Sequence, residues 1–336
     1  MNTKVGINGF GRIGRGVLRA GLKHGSLDFV AVNDITSPAV LAHLFKYDSV
    51  FGVYPGKVKV AAGGIEIDGN LIRTYSERDP SSIGWAESGV GIVVESTGVF
   101  RSRAEASAHL GGTVKKVVIT APAKGGVDLT AVLGVNEDSY DPAAHDVVSN
   151  ASCTTNCFSM LVKVLHEKFG VRRGEMTTVH SYTSDQRIHD APHSDLRRAR
   201  AAGLSIIPTS TGAAEVIQEV FPELRGKLSA MAVRVPTPNV SLVDFSCEVG
   251  AETSPDEVNA AFKEAAQGRL KGLVGYLEDE LVSTDLVGSP YSAAFDPYLT
   301  SVTDGNLVKV IAWYDNEYGY SSRVVDLVSF MAERGI

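Results

Sequence analysis

Val5-Gly6-Ile7-Asn8-Gly9-Phe10-Gly11-Arg12-Ile13-Gly14 decides how this 336-residue chain folds. It opens as a short apolar strand, turns through three glycines, and runs into a helical pattern through Leu18 and Leu22. In such a strand–turn–helix unit, Gly9 permits the tight turn and Gly11 lets a pyrophosphate approach the backbone. Gly14 lets the helix pack close to the strand, and the helix N-terminus faces the phosphates. Alone the motif is weak, because glycines often serve only the turn. Here a second strand ends at Asp34, at the distance expected of an acid that binds ribose hydroxyls. A carboxylate accepts from both hydroxyls of an adenosine ribose and repels a 2′-phosphate, so NAD is favoured over NADP. The plainer alternative is that Asp34 only caps the turn Ile35-Thr36-Ser37-Pro38.

Outward from this loop, Phe29–Val32, Ile92–Val94, Val117–Ile119 and Val147–Val148 are further apolar blocks, each closed by Gly, Asn, Asp, Ser or Pro. Parallel strands covered on both faces read this way, so the first half is expected to be a doubly wound, Rossmann-type α/β domain. The segment 53–75 reads as an antiparallel insertion. After Ser152 the pattern changes. Residues 153–169 have a helical period, and Asn239–Val249 alternates apolar with polar residues, as in an antiparallel sheet with one wet face. The expected division is a dinucleotide-binding domain over 1–151, completed by a C-terminal helix over 317–336. An α+β catalytic domain with a mainly antiparallel sheet is expected over 152–316.

Asn150-Ala151-Ser152-Cys153-Thr154-Thr155-Asn156-Cys157 joins strand to helix and sets Cys153 at the helix N-terminus, where N–H groups and the dipole are expected to lower a thiol pKa. A cysteine is more often a buried small hydrophobe. That suits Cys247 and Cys157, but not Cys153 among Ser152, Thr154, Thr155 and Asn156. A thiolate nucleophile wants an imidazole. His180, on the strand expected to follow the cysteine helix, is the best placed of eight histidines, although a lone histidine on a strand is commonly structural. No His, Cys and acidic spacing reads as a metal site.

Composition limits the alternatives. A net charge of −7 argues against general affinity for nucleic acid or an anionic membrane. Three cysteines suggest reduced thiols. With no signal-like N-terminus and no membrane-length apolar run, a cytoplasmic location is expected.

Seven segments, 9–14, 149–157, 180–186, 195–202, 208–214, 234–241 and 313–319, resemble, in order and spacing, the signatures of the phosphorylating glyceraldehyde-3-phosphate dehydrogenase family. The resemblance implies Cys153 as nucleophile and His180 as its activator. It implies NAD held by Gly9, Gly11, Arg12, Ile13, Asp34, Arg78, Thr120 and Asn316, with Asn316 on the nicotinamide carboxamide. Ser152, Cys153, Thr154, Thr183, Arg198, Thr211, Gly212 and Arg234 match substrate and phosphate positions. Thr183 and Arg234 are implied for the phosphate of D-glyceraldehyde 3-phosphate; Thr154, Thr211 and Gly212 are implied for attacking inorganic phosphate. Two anions need donors of this kind, and arginine presents a planar, permanently charged fork. Arg197 and Arg200 read as a solvated basic loop. A homotetramer is implied, with the loop 184–203 near an interface.

Family members often have Asn at Ser184, Leu at His189, Lys at Glu215 and Trp at Tyr318. Ala191-Pro192 gives a mixed signal on cofactor choice. The nearest alternative, an erythrose-4-phosphate dehydrogenase, usually lacks the equivalents of Tyr182-Thr183 and Thr211-Gly212. A catalytically silent dinucleotide-binding regulator would have no need of Cys153, His180 and two anion sites together. An RNA-binding role beside catalysis finds no support in the acidic balance.

Overall fold

The opening strand, Thr3–Asn8, lies inside a nine-stranded sheet in a computed structural model that describes residues 2–336. On one side it pairs in parallel with Leu27–Asn33, and on the other with Ile92–Glu95. The strand order therefore reverses at Thr3–Asn8. In doubly wound sheets ligands bind at the carboxyl ends of strands at such a reversal. Beyond Ile92–Glu95 the parallel order continues through Lys116–Ile119, Val147–Ser149 and Leu129–Thr130. The other flank is parallel to Asn70–Tyr75 and then turns antiparallel through Gly64–Ile67 and Val58–Ala61. The expected insertion is there, and its last strand also joins the parallel set.

This sheet belongs to the first of two units, which holds the residues up to Ala131, then 137–151 and 321–336. The helix Tyr318–Arg334 contributes its last four turns to it: Ser329 Oγ lies 2.8 Å from Ser26 Oγ, and Tyr140 packs edge-on against Phe330. The second unit holds 132–136 and 152–320. A continuous 1–151 domain does not anticipate the placement of 132–136. A side chain at Gly134 would run into Leu270 and Leu273, so this short segment packs with the second unit.

The second unit is built on a seven-stranded sheet in the order Ile207–Thr209, Leu228–Val235, Val171–Ser181, Ser241–Val249, Leu307–Tyr314, Ala293–Thr303 and Val274–Tyr276. All neighbours are antiparallel except Val171–Ser181 with Leu228–Val235, and Val274–Tyr276 with Ala293–Thr303. Along Ser241–Val249 every second residue is buried, the two-residue period of a sheet with one covered face. Helices cover that face: Phe158 of Cys153–Phe169 meets Phe245 edge-on at 4.8 Å, and Phe262 of Pro255–Gln267 stacks on Phe295 at 3.9 Å. Among the described residues, no helix is long and apolar enough to cross a membrane.

Candidate active site

In the first unit the glycine loop is held by backbone. Gly9 has φ +88°, in the left-handed region, and its N–H donates to the Asn33 carbonyl at 2.8 Å. A Cβ at Gly14 would sit 2.1 Å from the Gly9 carbonyl oxygen, so only glycine allows the helix this close. A Cβ at Gly11 would meet nothing within 4 Å, and the helix Arg12–His24 starts without a side-chain cap. An open, side-chain-free loop beneath a helix N-terminus fits a dinucleotide pyrophosphate. Asp34 does both things considered for it. One carboxylate oxygen accepts from Thr36 N at 2.9 Å and caps the turn, while the other accepts from Phe10 N at 2.8 Å and faces the loop.

The other cofactor candidates of this unit are more scattered. Arg12 pairs with Asp48 at 2.6 Å and follows Gly11 directly, with Ile13 beside it on the first helical turn. Thr120 follows the strand Lys116–Ile119 and donates to the Glu95 carbonyl through N at 2.9 Å and Oγ1 at 3.1 Å. Arg78 is exposed.

In the second unit the sequence folds so that His180 meets Cys153. The helix Cys153–Phe169 ends at the left-handed Gly170, and the chain returns as the strand Val171–Ser181. Its penultimate residue puts His180 Nε2 3.6 Å from Cys153 Sγ. Ser152 caps the helix, accepting from Thr155 N at 3.0 Å. The parallel register sets Arg234 beside His180. Arg234 Nη1 is 2.8 Å from His180 Nδ1 and donates to the Ser181 carbonyl at 3.0 Å; Nδ1 is 2.8 Å from that same carbonyl. The two contacts compete for Nδ1: a proton there would donate to the Ser181 carbonyl and leave the Nε2 lone pair facing sulfur, the tautomer a base needs, whereas an Nδ1 lone pair would accept from Arg234 and set the proton on Nε2.

The electrostatics correct one expectation. The helix N-terminus does not win at Cys153. The residue is partly buried, and the packing around its sulfur pushes the thiol pKa up; the Arg234 charge and Thr154 pull against this without overcoming it. Burial, with help from Arg234 and Arg198, depresses the His180 pKa to about 3, so the imidazole is neutral. Proton transfer from sulfur to Nε2 would create opposite charges that attract by about 4 kcal/mol at the effective dielectric of a protein site. That offsets part of the desolvation that opposes the transfer. The other two cysteines follow the hydrophobic reading. Cys157 and Cys247 are fully buried, and burial pushes Cys247 up to about 12.

Arg198 is braced from several directions. Its Nε donates to Thr209 Oγ1 at 2.9 Å, and Nη1 to Asp185 at 2.6 Å. Thr209 in turn donates to Asp195 at 3.0 Å. Thr183 opens the loop after the His180 strand and turns back through Gln186. Thr211 and Gly212 begin the helix Ala213–Val220, with Thr211 Oγ1 accepting from Ala213 N at 3.3 Å. Glu215 lies on the first turn of that helix, 3.8 Å from where a Gly212 Cβ would stand. Asn316 Oδ1 accepts from Ser181 and Ser241 hydroxyls at 2.9 and 2.8 Å, which fixes its amide and leaves the NH₂ to donate.

Sequence reasoning missed Tyr314. Its hydroxyl bonds Thr154 at 2.8 Å and Thr178 at 2.9 Å, and its ring stands edge-on to His180 at 5.9 Å. Only the two-residue alternation of Leu307–Tyr314, which turns Tyr314 inward, could have marked it.

Known proteins extend this picture over the whole chain. Residues 3–103 match the family description "Glyceraldehyde 3-phosphate dehydrogenase, NAD binding domain", and residues 152–316 match "Glyceraldehyde 3-phosphate dehydrogenase, C-terminal domain". Glyceraldehyde-3-phosphate dehydrogenase of Geobacillus stearothermophilus is 58% identical over 336 residues, covering 100% of both chains. Glyceraldehyde-3-phosphate dehydrogenase 1 of Bacillus subtilis (strain 168) is 56% identical with the same coverage. The enzyme of Streptomyces coelicolor is 54% identical over 99% of this chain and 100% of its own. With both domain signatures in place and more than half of all positions shared end to end, this chain belongs to the glyceraldehyde-3-phosphate dehydrogenase family.

Proposed function

We propose that the protein oxidises D-glyceraldehyde 3-phosphate and phosphorylates the product to 1,3-bisphosphoglycerate, in glycolysis and gluconeogenesis, with NAD as its cofactor. The observation that carries the reading is the placement of Cys153 Sγ 3.6 Å from a neutral His180 whose other nitrogen adjoins Arg234. Cys153 attacks the aldehyde carbon while its proton passes to His180 Nε2, giving a thiohemiacetal. Bound NAD⁺ supplies the hydride acceptor. Loss of hydride from that carbon leaves a thioester on Cys153, and His180 can stabilise the oxygen while it bears negative charge. Inorganic phosphate then attacks the acyl carbon, the C–S bond breaks, and the thiolate returns with an acyl phosphate as product.

In this reading Arg234 and Thr183 hold the phosphate of the substrate, with Arg198, Thr211, Gly212, Thr154 and Ser152 serving the anions at the reacting end. The dinucleotide lies on Gly9, Gly11, Arg12 and Ile13, with Asp34 on the adenosine ribose, Arg78 and Thr120 flanking it and Asn316 on the carboxamide. The erythrose-4-phosphate alternative is not favoured, since the full-length relatives bear the triose name. A cytoplasmic homotetramer belongs to the same proposal. The segment 184–206 displays Ile188, Leu196, Leu204 and Ile206 at 83, 82, 83 and 72% exposure, apolar area that further copies of the chain would cover.

The test is an assay of purified protein with glyceraldehyde 3-phosphate, with and without phosphate, using NAD⁺ and NADP⁺ in parallel, together with sedimentation for chain number. Phosphate-dependent turnover that prefers NAD⁺ supports the proposal. Steady turnover unaffected by phosphate would refute the acyl-phosphate product.

A further inference from the structure

Beneath the glycine loop runs a buried chain of side chains that the reaction does not use. Trp85, His109, Glu95, Asn8 and Asn33 are each at least 95% buried. Trp85 Nε1 donates to His109 Nδ1 at 3.1 Å, and His109 Nε2 lies 3.0 Å from Glu95 Oε2. Asn8 Nδ2 donates to the same Oε2 at 2.5 Å. The other carboxylate oxygen accepts from Thr97 N at 2.8 Å and from the Thr97 hydroxyl. Behind Asn8, its Oδ1 accepts from Asn33 Nδ2 at 2.8 Å, and Asn33 Oδ1 accepts from Glu77 N at 2.8 Å.

The direction of every one of these bonds is fixed by three groups that can only donate: the indole N–H of Trp85 and the backbone N–H groups of Glu77 and Thr97. The indole occupies the Nδ1 lone pair, so His109 carries its proton on Nε2 and gives it to Glu95. The Glu77 N–H fixes the Asn33 amide, which fixes the Asn8 amide, which must then also donate to Glu95. All the polarity converges on residue 95, and only a side chain that accepts at both ends satisfies it.

The two strand ends tied by this carboxylate are those that enclose the loop. Asn8 precedes Gly9, and Thr97 N lies 2.7 Å from where a Gly9 Cβ would be. Between them Ser96 donates from N to the Asn8 carbonyl at 2.8 Å and from Oγ to the Gly9 carbonyl at 2.7 Å. We propose that Glu95 is a positioning residue for dinucleotide binding: by joining Asn8 to Thr97 it sets the glycine loop, and Trp85 and His109 hold it in place. The proposal rests on the reading of Gly9–Gly14 as the NAD loop.

Glu95→Gln tests it. A glutamine puts an NH₂ against at least one of the converging donors. His109 has no spare tautomer and Asn8 no amide flip to relieve it. Calorimetry should show NAD⁺ affinity lower by about tenfold or more, the scale of one hydrogen bond to a charged group. The rate at which iodoacetamide alkylates Cys153 in the second unit should stay within about twofold of the parent. Thr97→Val, a change at an exposed residue that removes one donor, should weaken NAD⁺ binding less, by about threefold. In the parent protein, the ring nitrogen shifts of His109 should report a proton on Nε2. Parent protein that fails to bind NAD⁺ would overturn the dinucleotide reading and this proposal together. Parent protein that binds NAD⁺ while both variants bind it equally well would overturn the proposal alone. A His109 proton on Nδ1, or alkylation falling in step with NAD⁺ affinity, would do the same.

Discussion

The glycine loop and the cysteine cluster are built from opposite materials. The loop is a backbone device: its shape depends on what residues 9, 11 and 14 lack, and a side chain at Gly14 would collide with the Gly9 carbonyl. The cluster is a side-chain device, in which Cys153, His180 and Arg234 come from a helix and two neighbouring strands and are aligned by register. A backbone site is written in consecutive residues, whereas a side-chain site is written in pairings far apart in sequence. The two should also fail differently, the first in binding and the second in rate.

The sharpest break is Cys153→Ser. Turnover should vanish, because a neutral hydroxyl cannot form the thioester, while NAD⁺ affinity by calorimetry stays near the parent value. Oxidation at a near-parental rate would end the covalent mechanism. His180→Asn comes next. General-base loss typically removes a factor of about 10²–10⁴. With burial holding the Cys153 thiol pKa up and no imidazole to take its proton, alkylation by iodoacetamide should be slow at neutral pH and rise only toward alkaline pH. A variant that keeps the parental pH profile would show that His180 does not share the thiol proton.

Arg234→Leu sharpens the comparison within the cluster. If Arg234 holds the substrate's phosphate, kcat/KM for glyceraldehyde 3-phosphate should fall about tenfold to hundredfold more than for unphosphorylated glyceraldehyde. Equal losses for both aldehydes would remove that assignment and leave Arg234 as a neighbour of His180. Asp34→Ala is expected to be the mildest and to act in the other region. NAD⁺ affinity should drop by about tenfold, and the preference over NADP⁺ in kcat/KM should relax, since hydroxyl acceptors and a repelling charge go together. An unchanged preference would move cofactor choice to Arg78 or to the loop around Ala191-Pro192.

The same contrast explains what could be read in advance. The strand–loop–helix opening, the parallel blocks and the alternation along Ser241–Val249 are local patterns, and each appears where its period places it. The pairing of Cys153 with His180 was accessible because one helix and one strand separate them. Three things were hidden. The thiol pKa depends on packing density around one sulfur, which no short window of sequence reports. Tyr314 reaches Thr154 across 160 positions. His109, in an unremarkable Ala-His-Leu context, becomes a buried polar group only when Trp85 and Glu95 close around it.

The burial of Cys157 and Cys247 has a practical side. With both remaining thiols sealed in the core and Cys153 alone in reach of solvent, a small electrophile should consume one equivalent per native chain. That stoichiometry amounts to a headcount of competent molecules in any preparation, independent of the assay. Uptake of a second or third equivalent would mark chains whose core has opened, so a single reagent reports both how many sites exist and how many folds have failed.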